Sequence, residues 1–193
     1  MIRLRRQGGL LTYCRTESEE SECTLHSNIE AELKQYHQDL FGWALVCCHW
    51  VQPEAEEVLQ ETYLKILDGR ARFHGRSSFK TWLFAVLRHT AAEHRRASRF
   101  RELARLRWGK AHRPTVSHDA AGGVYASQAN ARLVAALAKL PARQRQVLHL
   151  VFYQDLSIRE AADILGVHVG TARAHYERGK RSLRALLEKE YTV

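Results

Sequence analysis

The sequence predicts an all-α protein of two small helical domains joined by a flexible linker, and three observations carry that prediction. Apolar residues recur at spacings of three and four through most of the chain, the period of one buried helix face. Only three prolines and eleven glycines interrupt the 193 residues, which leaves long stretches free to be helical. Between Pro114 and about Asn130 the period dissolves into a linker composition that includes Ser117, Gly122 and Gly123.

The elements follow in order. Residues 1–28, with Glu17, Glu19, Glu20 and Glu22, read as a flexible polar extension. Met1 to Gly9 is basic, but only Leu10 and Leu11 precede Thr12, so a signal peptide is not expected. No apolar run approaches the ~20 residues that cross a bilayer, and the expectation is a cytoplasmic chain without membrane insertion. From Ile29, residues Ile29, Leu33, Tyr36, Leu40, Ala44 and Cys47 mark the buried face of one helix. Pro53 restarts the chain, and Val58, Leu59, Thr62, Tyr63, Ile66 and Leu67 form a second stripe that stops at Asp68-Gly69.

Arg70 to Ser78 (RARFHGRSS) lacks helical period and reads as a loop around Gly75. A third helix follows, with Phe79, Trp82, Leu83, Val86 and Leu87 facing a core. Lys80, Arg88, Arg95 and Arg96 lie on its polar side and far end. After the linker, Leu140-Pro141 opens a helix whose core stripe is Val147, Leu148, Val151 and Phe152. The expected boundaries are an extension over 1–28, a first domain over 29–99, a basic linker over 100–130 and a second domain over 131–190.

Ser157-Ile158-Arg159-Glu160 fits a capping box, in which a serine hydroxyl and a glutamate carboxylate satisfy the free amides of a helix start. The short helix it opens should end at Gly166, where a left-handed residue is needed. Val169, Ala172, Tyr176, Gly179, Leu183 and Leu186 then define a longer helix. Thr171, Arg173, Ala174, His175, Arg178 and Arg181 flank that stripe or face away from it. Two helices joined by a tight glycine turn read as a helix-turn-helix, whose second helix meets base edges near its N-terminus. Arg173 is the candidate base contact, because its fork matches a guanine edge, while Arg178 and Arg181 suit phosphate.

Charge is distributed unevenly. The chain carries a formal +9, yet residues 29–69 hold eight acidic side chains against two basic, and residues 70–113 hold thirteen basic against two acidic. Such a swing points to two surfaces with different partners, the basic one nucleic acid. Cys14, Cys23, Cys47 and Cys48, with His26 and His49, carry ligand chemistry for zinc. Their spacing fits no standard finger and Cys47 falls on a buried stripe, so no metal or cofactor is assigned, and redox sensing stays an open alternative. No phosphate-cradling glycine loop, nucleophile elbow or zinc-protease helix is present, so no enzyme is expected.

Three motifs in register resemble the extracytoplasmic-function group of sigma-70 family factors. Glu54 to Tyr63 (EAEEVLQETY) is similar to that family's core-binding helix, and Ser77 to Leu83 (SSFKTWL) to the start of its promoter-melting helix. Leu140 to Leu148 (LPARQRQVL), with the Ser157 box and Val169 to Arg173 (VGTAR), is similar to its second domain. The likeness covers about residues 33–98 and 132–188 and implies a region 2 helical bundle followed by a region 4 helix-turn-helix. It implies that Glu54, Glu57, Gln60 and Glu61 dock on the clamp of the largest subunit of core RNA polymerase. The minus-ten element would meet Phe73, Arg76, Ser77, Ser78, Phe79, Lys80, Arg88, His89, Arg95 and Arg96, and the recognition helix would read the minus-thirty-five element. An anti-sigma partner, often membrane-bound, is also implied. His89 stands where the family usually has Asn, and His168 where Ser is common at the recognition-helix cap. The rival reading is an autonomous helix-turn-helix repressor or activator, which has no need of the acidic helix.

Overall fold

A computed structural model describes residues 29–107 and 128–190, and among them every regular element is helical. The chain divides into two units between His37 and Gln38. Helix α1 spans residues 29–35, and a turn at Tyr36 interrupts the single helix expected there. Helix α2 (His37–Cys47) buries Leu40, Trp43, Ala44, Leu45, Val46 and Cys47. A helix covered on nearly every side is a central core element. The buried Trp43 indole donates from Nε1 to the Phe84 carbonyl at 3.1 Å, which satisfies its one polar atom.

His49 and Trp50 turn the chain with φ of 57° and 66°, and Pro53 sits in the first turn of α3 (Gln52–Leu67). Ala55, Val58, Leu59, Thr62 and Ile66 are buried, with the Thr62 hydroxyl donating to the Val58 carbonyl at 2.7 Å. Leu67, expected in that stripe, is exposed, because at 100° per residue it falls to the side of the buried sector of Ala55, Val58, Leu59, Thr62 and Ile66.

Helix α4 (Phe79–Arg107) begins at a Ser78 cap, whose Oγ accepts from the Thr81 amide at 3.1 Å. Its core residues are Leu83, Phe84, Leu87 and Ala91, whereas Phe79, Trp82 and Val86 are only half-buried. The expected stripe is thus rotated. α4 packs against both α3 and α7 (Ile158–Leu165) and meets Trp43 of α2, so the sector centred on Phe84 goes inside.

In the second half, α5 (Gln128–Ala138) precedes the Leu140-Pro141 step at which the sequence reading starts its first helix. Helix α6 (Ala142–Leu148) runs into a π-helical turn, His149–Tyr153. The wider turn shifts the register of side chains. Val147, Leu148 and Leu150 are buried, Val151 is half-buried, and Phe152, expected in the core, is 60% exposed. Helix α7 ends at Gly166 with φ 58°, and α8 (Val169–Glu190) follows. Gly179 lets α8 approach α6 closely: a Cβ there would lie 3.1 Å from Leu148 Cδ1 and 3.3 Å from Gln144 Cβ.

Candidate nucleic-acid interface

The helix-turn-helix is positioned by local chemistry. The Ser157 Oγ accepts from the Glu160 amide at 3.2 Å, and the Glu160 carboxylate accepts from the Ser157 amide at 2.9 Å and from its hydroxyl at 2.7 Å. These bonds hold the Glu160 carboxyl below its usual pKa range, with Thr81 and Lys80 of α4 adding to the effect. At the other end Gly166 and Val167 return their amides to the α7 carbonyls. The turn aims α8, and His168 caps it by accepting from the Gly170 amide through Nδ1 at 3.2 Å. Histidine therefore performs the capping bond here.

Along α8, Ala172 and Gly179 are buried, while Val169, Tyr176 and Leu183 are half-buried on the same side. At 100° per residue, Ala174, Arg178 and Arg181 fall opposite that stripe, Arg173 on one flank and Thr171 with His175 on the other. Thr171, Arg173, Arg178 and Arg181 are exposed, and Ala174 and His175 half-exposed. Thr171, Arg173, Ala174, Arg178 and Arg181 thus point outward over about half of the helix circumference, whereas His175 keeps its Nδ1 buried. Tyr176 supports it from behind, stacking on Phe152 at 5.5 Å with Lys180 4.6 Å above its ring.

The loop before α4 carries a surface aromatic cluster. Phe73 and Phe79 meet edge-on with centroids 5.5 Å apart, and Trp82 lies 5.4 Å from Phe73 and 5.3 Å from Phe79. Trp82, expected in the core, belongs to this half-exposed cluster instead. Arg76, Ser77 and Ser78 are exposed beside it. Ser78 is engaged as the helix cap and Ser77 donates to its carbonyl at 3.2 Å, so both serines shape the loop.

Farther along α4, His89 and Arg96 are exposed one above the other, seven residues apart, and Arg95 is half-buried. Lys80 and Arg88 turn the other way. Lys80 Nζ donates to the Gln154 carbonyl at 2.9 Å, and Arg88 Nη1 to the Ile164 carbonyl at 3.4 Å. The ten residues expected at one element thus divide between a solvent-facing set and a pair turned onto the second half.

The acidic face of α3 is distinct. Glu57 and Gln60 are exposed, and Glu54 and Glu61 half-exposed. His94 of α4, 9% exposed, hydrogen-bonds Glu57 Oε2 through Nε2 at 3.1 Å. Lys65 bridges Glu61 at 3.0 Å and Glu93 at 2.6 Å. Leu64, 54% exposed, shares this face at i+7 from Glu57 and i+3 from Glu61, with Leu67 one turn on. Leu64 is absent from the expected docking set, although its spacing from the glutamates already places it on the polar side.

Cys14, Cys23 and His26 lie outside the described residues. Cys47 and Cys48 are buried free thiols, and burial pushes both pKa values up to about 12, which keeps them protonated and unreactive at neutral pH. Among the described residues no cluster of His, Cys, Asp and Glu could hold a metal ion, and no helix is long and apolar enough to cross a membrane.

Two family models match the chain, Sigma-70 region 2 over residues 33–101 and Sigma-70, region 4 over residues 130–183. The chain is 32% identical to the ECF RNA polymerase sigma factor SigC of Mycobacterium tuberculosis, over 84% of both proteins. It is 30% identical to the ECF RNA polymerase sigma factor SigX of Bacillus subtilis, over 79% of this chain and 80% of that one. Among solved structures it is similar to the sigma factor RpoE of Bartonella quintana, crystallised with the anti-sigma factor NepR. That match has a TM-score of 0.65 at 26% identity and covers 83% of this chain and 97% of that one.

Proposed function

The chain belongs to the sigma-70 family as an extracytoplasmic-function sigma factor that directs transcription initiation, and from that premise we propose how its surfaces divide the work. Glu54, Glu57, Gln60 and Glu61, with Leu64 as an apolar anchor among them, dock on the clamp of the largest subunit of core polymerase. Anchors of this kind, ringed by polar groups, contribute most where they become fully desolvated. The loop residues Phe73, Arg76, Ser77 and Ser78 with Phe79, Lys80, Arg88, His89, Arg95 and Arg96 take the minus-ten element.

The α8 residues Thr171, Arg173, Ala174, His175, Arg178 and Arg181 take the minus-thirty-five element. The observation that carries this reading is the surface cluster of Phe73, Phe79 and Trp82 beside Arg76. A base drawn out of a duplex loses its stacking partners, and aromatic faces next to a cation replace them. Trp82, half-exposed, joins the two phenylalanines in that role.

The factor acts by binding and positioning, without a reaction of its own, and works in the cytoplasm. An anti-sigma partner holds it until a signal arrives, as NepR accompanies the similar Bartonella factor. The test is reconstituted transcription, with core polymerase, a promoter library and the purified chain. New start sites that depend on the chain are expected, and duplex binding without polymerase at nanomolar affinity would favour the repressor reading. Glu57→Lys with Glu61→Lys should abolish binding to core polymerase with helicity retained by circular dichroism, and unchanged binding would remove the acidic face from the docking surface.

A further inference from the structure

We propose that His49, Arg95 and Arg99, backed by Arg145, form a binding site for a small diphosphate-class anion, a site that shares only Arg95 with the residues assigned to promoter DNA. The argument begins with Arg145 of α6, which is 2% exposed. Its Nη1 donates to the Ala138 and Leu140 carbonyls, both at 3.4 Å, and its Nη2 to His49 Nδ1 at 3.0 Å. Its Nε is buried without a partner. A guanidinium stays charged in a folded protein, and a buried charge is strongly destabilising unless an opposite one lies close by.

No side chain supplies that opposite charge. Among the described residues neither Arg145, Arg95 nor Arg99 forms an ion pair with a carboxylate. Cys47 and Cys48 lie within reach of these charges, but burial keeps both thiols protonated at neutral pH. Further cations gather instead. Arg95 and Arg99 stand one turn apart on the same side of α4. Burial, and then the charges of Arg145, Arg95 and Arg99, push the His49 pKa down, so three guanidiniums converge on one imidazole. Arg99 and His49 are exposed and Arg95 is half-buried, which leaves the cluster open to solvent above the buried Arg145.

The chemistry of the donors selects the ligand. A guanidinium can only donate, so His49 Nδ1 accepts from Arg145, and the neutral ring carries its proton on Nε2. On the opposite edge of an exposed ring, that N–H is a donor for an anion. Guanidinium forks suit the oxygens of phosphate, which accept in pairs. A backbone phosphate of DNA brings a single negative charge, whereas a diphosphate concentrates several at one point, as three converging guanidiniums require.

The test is NMR of the full chain in metal-free buffer, following the His49 ring protons through a pH titration with and without pyrophosphate, with His49→Gln assigning the resonance. Pyrophosphate should raise the His49 pKa by about one pH unit or more, since an opposite charge in contact favours the charged ring. Arg99→Gln, on the surface, should weaken pyrophosphate binding in calorimetry by roughly tenfold or more, the loss expected for a charge-assisted hydrogen bond. Arg145→Met should weaken it as well, and if that variant fails to fold, His49→Gln and Arg99→Gln decide alone. An unmoved His49 resonance, a shift that sodium chloride reproduces at the same ionic strength, or binding that Arg99→Gln leaves unchanged would each overturn the site. A His49 resonance that responds to duplex promoter DNA but not to pyrophosphate would overturn it too, and would make the cluster part of the DNA surface.

Discussion

Arg173 lies exposed on a flank of the recognition helix, within its first turns, with a planar fork that can pair with a guanine edge. Its replacement by alanine should cost about 1–3 kcal/mol of discrimination at one base pair while leaving polymerase binding intact. Transcription from a set of single-base variants of the minus-thirty-five element checks this, since a uniform fall across the set would make Arg173 a phosphate contact. The outward direction of Arg173, Thr171, Ala174, Arg178 and Arg181 was legible in the sequence, because it follows from helix period alone, whereas the buried Nδ1 of His175 was not. Lys80 and Arg88 were legible as basic residues on α4, but their direction was not. Whether a long cation faces solvent or a carbonyl depends on what is packed beside it.

At the scale of elements, α8 is set against α6 by Gly179. A methyl group there would press on Leu148 and Gln144 at 3.1–3.3 Å. Overpacking of this kind costs about 1–3 kcal/mol, against the ~1 kcal/mol by which alanine favours a helix over glycine. Gly179→Ala should therefore lower the urea midpoint and, by lifting α8, weaken minus-thirty-five recognition. A variant as stable as the parent would show that the side chains of α6 yield freely. The capping box and the left-handed Gly166 were both readable, since each is a local pattern within four residues. The π-helical turn was not, and it moved Phe152 out of the core. It adds one residue to a helical turn without a signature in composition, and only the packing of Leu148 and Leu150 against their neighbours reveals the shift.

For the whole molecule, His149 links pH to the packing of the second half on Trp43 of α2. Burial, with Lys80 nearby, pushes its pKa down to about 3, whereas an unfolded histidine titrates near 6.5. Between those values the unfolded chain binds a proton that the folded one refuses, so stability falls as pH drops below about 6.5. His149→Phe keeps an aromatic ring beside Trp43 and Tyr153 and removes the proton site. The loss of Tm between pH 7.5 and pH 5 should be smaller in that variant than in the parent. An equal loss would place the acid sensitivity elsewhere.

The sequence by itself determined the helical class, the order of the elements, the helix-turn-helix with its caps, and the separation of acidic from basic surface. Period, capping and charge are properties of neighbours along the chain. Tertiary structure decided the rest. It rotated the buried sector of α4 onto Phe84, gathered Trp82 with Phe73 and Phe79, gave Glu57 its His94 partner, and turned Lys80 and Arg88 onto the second half. Each of these depends on which faces of distant segments meet, and a face that two elements compete to cover is settled only when both are in place.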